Sequence, residues 1–307
     1  MLFLHVLWDV VLPIFIVAGA GVLLQRVVHL EPQPLSRAVF YVFSPALAFT
    51  GLYSLRVGGE GLLQALALAG SIALVMLLAG LLLARLGRFS RVHRSATLLT
   101  LLNSNTGNYG LPLNQFAFGE VGLQFAILFF VLNAVLANSV GVYIASSGRA
   151  TPGEAVRNVL KTPLVYATVL ALLANFFRWP IPSPLYKALS LSGQAAVPVL
   201  LVVLGIQLGR LGRNIHWRDA LPVTVLKLIV APVLAWILSG ILGMSGVFRA
   251  VAVVQSSMPA AVMTTVLSTE FDCEPEYVAE IVFVTTAVSV VTLTVLVSFL
   301  SMWLRTH

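Results

Sequence analysis

The residues Asn103-Ser-Asn-Thr-Gly-Asn-Tyr-Gly-Leu-Pro112 put three asparagines, two glycines and a proline inside a run otherwise apolar enough to cross a bilayer. Lipid supplies no hydrogen-bond partner. A helix broken at that depth persists only where it is buried in protein or lines a wet cavity. A second interruption, Gln255-Ser-Ser-Met-Pro259, cuts another apolar run. Proline lacks an N–H and clashes with the preceding turn, yet suits the start of a new helix. Both runs are therefore expected to split, with second half-helices starting near Tyr109–Pro112 and near Ser257–Pro259. Their free N–H groups and positive dipole ends would favour an anion. The plainer alternative is a pair of proline kinks whose freed backbone groups are sealed by the amides.

Lys227 is the one basic residue deep in an apolar run. It lies ten residues past Trp217, so ~15 Å along a helix axis. A lysine there costs ~3 kcal/mol on the lenient insertion scale. Glu280 is the nearest candidate acid, but it sits only three or four residues into its own run. Three readings stay open: Lys227 pairs with a bound anion, ties down carbonyls of a broken helix, or snorkels to the cytoplasmic edge.

The other intramembrane polar residues include Asn114, Gln115, Asn133, Asn138, Gln194, Gln207, Thr264, Thr265, Thr285 and Thr286. Singly, such residues serve mostly as interhelical glue. Asn133 and Asn138 stand out, because an amide needs several partners. Asp9, His5, His29, His93, His216 and His307 lie at run ends and read as solvated. No pair has metal-ligand spacing, and no nucleophile elbow, Walker loop or dinucleotide fingerprint occurs. No cofactor and no enzymatic activity are expected. The lone Cys273 leaves no intramolecular disulfide or cysteine metal site.

The elements that must hold these residues follow from composition. Of 307 residues, 59% are hydrophobic and 9% charged, against roughly 25% charged in soluble domains. This is an all-α integral membrane protein. Its net charge of +7 does not imply nucleic acid, since the basic residues sit in short loops between apolar runs. Ten spans are expected, at 6–28, 35–55, 62–86, 95–117, 121–146, 157–177, 185–208, 217–241, 247–268 and 277–303. The first has no Lys or Arg before Arg26 and is too long for a signal-peptide core, so it counts as a span.

Loops after odd spans carry twelve basic residues: Arg26, Arg37, Arg85, Arg88, Arg91, Arg94, Arg149, Arg157, Lys161, Arg210, Arg213 and Arg218. The opposite side carries five: Arg56, Arg178, Lys187, Arg249 and Arg305. This bias puts both termini on the non-cytoplasmic side. The loop before the last span breaks the trend with Glu270, Asp272, Glu274 and Glu276.

Prolines recur at half-chain offsets. Pro13 and Pro163 are 150 residues apart, Pro45 and Pro198 are 153 apart, and Pro112 and Pro259 are 147 apart. Five spans per half require the second half to be inverted, a recurring transporter plan with the site at the repeat interface.

These residues resemble the auxin efflux carrier family, including bacterial members described as malonate or other organic-acid permeases. The sharpest match is Asn105-Thr-Gly-Asn-Tyr-Gly-Leu-Pro112 with Phe118-Gly119. Lys227 with Pro232, Ser257-Met258-Pro259, and Thr285, Thr286 and Ser289 support it. The resemblance implies two inverted five-helix repeats, with helices 4 and 9 broken and crossing at their prolines. It implies a dimer-forming scaffold, 1–55 and 157–208 (helices 1, 2, 6 and 7). A transport bundle, 56–146 and 209–307 (helices 3–5 and 8–10), would move as an elevator. It also gives Asn105 and Asn108 the substrate carboxylate. Two departures from the plant pattern are visible. The long loop between helices 5 and 6 is missing, and Gln255 and serines stand where an asparagine is expected.

The expected function is secondary active or facilitative transport of a small organic anion (a mono- or dicarboxylate, or an auxin-like acid) in a prokaryotic inner membrane. The expected substrate contacts are Asn105, Gly107, Asn108, Tyr109, Pro112, Gln255, Ser257, Pro259, Lys227 and Asn133. Expected partners are membrane lipids and a second copy through the scaffold. A proton or sodium ion as coupling ion is left open. The alternatives are a cation-coupled carrier of the bile-acid-transporter architecture and a channel or sensor on the same scaffold.

Overall fold

A computed structural model describes residues 2–55, 59–145, 152–210 and 217–306. Among them every extended element is helical. In chain order these are α1 (Leu2–Val28), α2 (Pro32–Ser54), α3 (Gly59–Leu86), α4 (Arg91–Leu102), α5 (Thr106–Ala145), α6 (Pro152–Leu160), α7 (Pro163–Phe176), α8 (Ser183–Arg210), α9 (Ala220–Ile241), α10 (Gly246–Ser256), α11 (Met263–Glu270) and α12 (Pro275–Thr306). Seven of them, α1, α2, α3, α5, α8, α9 and α12, are long and apolar enough to cross a membrane unaided.

The difference from ten expected spans has local causes. The runs 95–117 and 247–268 are split by breaks after Leu102 and Ser256. The run 157–177 is divided before Pro163. There Thr162 is extended at φ −87°, ψ 112°, as proline demands of the residue before it. Conversely, the second part of the fourth expected span joins the fifth as the 40-residue α5. This helix bends at Gly119, whose φ of 68° and ψ of −160° form a region open essentially to glycine. Arg56, Arg149 and Arg213, counted in the charge bias, lie outside the described residues, as do His216 and His307.

Five turns are widened to the i→i+5 pattern: Leu7–Val11, Val39–Phe43, Thr106–Gly110, Ala137–Gly141 and Leu226–Val230. Four of them end two residues before a proline, at Pro13, Pro45, Pro112 and Pro232. The cause is steric. A proline ring pushes away the carbonyl four residues back and offers it no N–H. That carbonyl belongs to Asp9, Tyr41, Asn108 or Leu228, in the middle of each wide turn.

Helices α1 and α8 touch backbone to backbone. A Cβ on Gly205 would lie 1.8 Å from the Ala18 carbonyl oxygen, and one on Gly21 would lie 2.2 Å from that of Val202. Small residues at a helix interface replace the hydrophobic drive that lipid removes. Helix α2 packs on α7 and α8. The Asn175 amide of α7 caps its end, with Nδ2 2.6 Å from Tyr53 O and 2.9 Å from Leu55 O. Helices α4, α9, α10 and α12 share a second apolar cluster with α1.

Candidate functional site

The two breaks meet. Ser104 and Ala260 form an antiparallel bridge. Asn105 N–H donates to Pro259 O at 2.8 Å, and Ala261 N–H donates to Asn103 O at 3.0 Å. Two unwound segments thus satisfy each other's backbone as strands do. In such a pairing the N–H and C=O of the bridged residues point away from the partner segment, and side chains collect them. The Asn133 amide of α5 donates from Nδ2 to Ser104 O at 2.9 Å and accepts the Ser104 N–H at 3.4 Å. Thr285 Oγ1 of α12 accepts the Ala260 N–H at 3.2 Å. The last turns of α4 and α10 are sealed alike. Asn103 Nδ2 donates to Leu99 O at 2.8 Å, and the Ser257 hydroxyl donates to Val253 O at 2.6 Å.

This geometry corrects two expectations. The second half-helices do not start at the prolines. Helix α5 starts at Thr106, and its wide first turn absorbs Pro112. Helix α11 starts at Met263, beyond Pro259. The crossing therefore joins Ser104 and Asn105 to Pro259 and Ala260: Pro259 stands at it as expected, and Pro112 does not.

Lys227, only 2% exposed, sits in the wide turn of α9. Its Nζ donates to Leu101 O at 3.0 Å and to Ser104 Oγ at 2.9 Å. Leu101 O belongs to the last turn of α4, where carbonyls lack helical partners and the dipole is negative. Of the three readings left open, the tie to broken-helix carbonyls is the one realised in this geometry. Snorkelling is not.

A cavity of about 280 Å³ opens beside the crossing. Its polar lining comes from Ser104, Thr106, Asn133, Ser139, Lys227, Gln255 and Ser256; α3 supplies an apolar wall through Leu66, Ile72 and Met76. Lys227, Asn133 and Gln255 thus share this space, whereas Asn105, Gly107, Asn108, Tyr109, Pro112, Ser257 and Pro259 do not line it. Asn108 Nδ2 instead reaches Gln207 Oε1 of α8 at 3.3 Å. The Tyr109 ring stands edge-on to Phe15 of α1 at 5.7 Å. Gln255 donates to Ala126 O at 3.1 Å. A Cβ on Gly110 would come within 2.3 Å of Gln255 Oε1, so a side chain at position 110 would have to displace the Gln255 amide.

Several buried polar atoms at the crossing have no partner. Asn105 occupies the N-cap of α5 without capping it, and its Nδ2 is unpaired, as is Thr106 Oγ1. Native interiors satisfy nearly all such atoms, so these two are exceptions among the buried polar atoms of the crossing. Ser104 and Thr106, inside the polar motif, line the cavity where sequence reading had placed their asparagine neighbours.

His93 is not simply solvated. Its Nδ1 contacts Glu274 at 2.5 Å, in the connection ahead of α12, and its ring packs on Tyr277. The acidic loop that broke the charge trend therefore lies against the basic one, so their charges compensate locally.

A family model described as a membrane transport protein matches residues 6–154 and 149–297. The chain belongs to this family, the auxin efflux carriers. Two archaeal relatives span most of this auxin efflux carrier family member. An uncharacterized transporter of Methanocaldococcus jannaschii is 30% identical over 266 residues, 83% of this chain and 85% of the relative. An uncharacterized transporter of Methanothermobacter thermautotrophicus is 27% identical over 273 residues, 86% and 87% of the two chains. A Rhizobium meliloti protein named "Putative malonate transporter" is 26% identical over 206 residues, 62% of each. The chain is a membrane transporter by family and has the apolar helices of a multi-pass membrane protein.

Proposed function

We propose that this chain moves a small organic anion, a mono- or dicarboxylate, across a prokaryotic inner membrane by alternating access. The observation that carries this reading is the pair of unpartnered groups at the start of α5, Asn105 Nδ2 and Thr106 Oγ1, close to the buried Lys227. A carboxylate in the adjoining cavity is met first by the Thr106 hydroxyl, and Asn105 and the first-turn N–H groups beyond Thr106, which do not line the cavity in this conformation, engage it as the crossing opens. Lys227 contributes positive potential, with Gln255 and Ser257 on the opposite half. Asn108 joins only after leaving Gln207. The malonate named for the Rhizobium relative is consistent with this chemistry.

The reading takes the chain as ten passes in two inverted repeats, with α4 plus the first part of α5, and α10 plus α11, as the broken passes. Corresponding roles at half-chain spacing support it: Ser104 and Ala260 are 156 residues apart, Asn133 and Thr285 are 152 apart, and Asn103 and Ser257 are 154 apart. Residues 1–55 and 157–208 serve as scaffold and dimer surface. Residues 56–146 and 209–307 move, and both termini face away from the cytoplasm. Uptake of radiolabelled malonate, malate, lactate and indole-acetate into proteoliposomes tests the reading. Saturable flux of at least one is expected; none for any carboxylate defeats it.

A further inference from the structure

Broken-helix transporters hold coupling cations on unwound carbonyls and on the carboxyl ends of half-helices. The carboxyl end of α4 is such a place, and here the chain fills it. We infer that Lys227 is a tethered replacement for a coupling sodium ion, so that this protein needs no free cation at the crossing.

The argument rests on where Nζ sits. It bonds an oxygen of the last turn of α4 and a hydroxyl of the unwound segment, Leu101 O at 3.0 Å and Ser104 Oγ at 2.9 Å. Both are neutral oxygen ligands of the kind a hard cation takes. The half-charge at a helix C-terminus favours a cation there. A lysine ammonium carries the same unit charge as sodium and offers three donors. Two of the three are used on the crossing, and Lys227 lines the adjoining cavity. Among the described residues, no group of three or more His, Cys, Asp or Glu side chains could hold a metal ion. A free cation would therefore lack a carboxylate cage, whereas the tethered one is held covalently by α9. The wide turn Leu226–Val230, forced by Pro232, sets the backbone from which Lys227 reaches α4.

The test uses the purified full chain in detergent without substrate, with Tm as the readout. Wild-type protein should melt at the same temperature in sodium, potassium and choline chloride at equal ionic strength. Lys227→Ala should melt lower, and methylammonium or sodium, but not choline, should raise its Tm by several degrees in a saturable way. If Lys227→Ala does not survive purification, the same rescue is read as the yield of monodisperse protein solubilised with methylammonium against choline. Sodium stabilisation of the wild type overturns the inference, because a vacant cation site then remains. So does a Lys227→Ala protein that no small cation restores. The inference stands apart from the anion assignment, since no substrate is present. Failed carboxylate uptake leaves it intact, and sodium-stabilised wild type leaves anion transport intact.

Discussion

Asn133 meets both outward-facing backbone groups of Ser104, donating to its carbonyl at 2.9 Å and accepting its N–H at 3.4 Å. One amide thus takes the place of a neighbouring strand along the unwound segment. Asn133→Ala leaves the Ser104 N–H without its partner, while the Ser104 carbonyl loses one of two donors and keeps the Thr106 N–H at 2.8 Å. A buried group left unsatisfied costs about 1–3 kcal/mol, so a clear drop in Tm and loss of transport are expected. Asn138→Ala is the control. It lies on the same helix, and among the described residues its amide bonds Ala134 O. Equal melting of the two variants would remove the role given to Asn133.

Gly110→Ala places a methyl 2.3 Å from Gln255 Oε1. Gln255 must swing away and lose its bond to Ala126 O. Overpacking of this kind costs about 1–3 kcal/mol. Gly110→Ala combined with Gln255→Ala should recover part of that loss, and a double-mutant cycle on Tm measures the coupling. Purely additive effects would show that the two residues do not meet.

The α1–α8 contact has no slack. Gly205→Ala sets its Cβ 1.8 Å from a backbone oxygen, which cannot rotate aside, whereas Cβ at Gly19 meets nothing within 4 Å. Gly205→Ala is expected to abolish monodisperse expression, while Gly19→Ala leaves the size-exclusion profile unchanged.

Cys273, in the connection between α11 and α12, has its thiol pushed up to about 11 by burial first, then by Glu274 and Asp272. The reactive thiolate is therefore scarce at neutral pH. A maleimide probe at pH 7.5 should label the denatured chain and spare the folded one. The linkage has a definite sign. Above the ordinary thiol value of 9.0 the unfolded chain gives up a proton that the folded chain keeps. Stability therefore falls as pH rises from there toward 11. Cys273→Ser should flatten that part of a Tm-against-pH curve.

The break near Asn103 and the depth of Lys227 were legible in the sequence, because polar residues inside an apolar run are costly wherever they point. The position of the crossing was not. Prolines were read as starts of helices, yet Pro112 is accommodated by a widened turn, and the chain unwinds one turn earlier, where Asn103 and Ser257 cap the preceding helices. Which carbonyl Lys227 would meet depended on packing of α9 against α4. Thr285 looked like any helix-packing threonine until Ala260 was set beside it. The His93–Glu274 contact joins residues 181 positions apart and left no local pattern.

The crossing also imposes an order on synthesis. Leu101 waits for Lys227, 126 residues later, about 6–25 s at 5–20 residues per second. Until then the Leu101 carbonyl at the end of α4 lacks its lysine, and the unwound segment waits longer still for its mate, Ala260. The nascent N-terminal half therefore depends on the insertion machinery, or on retained water, to shelter that end.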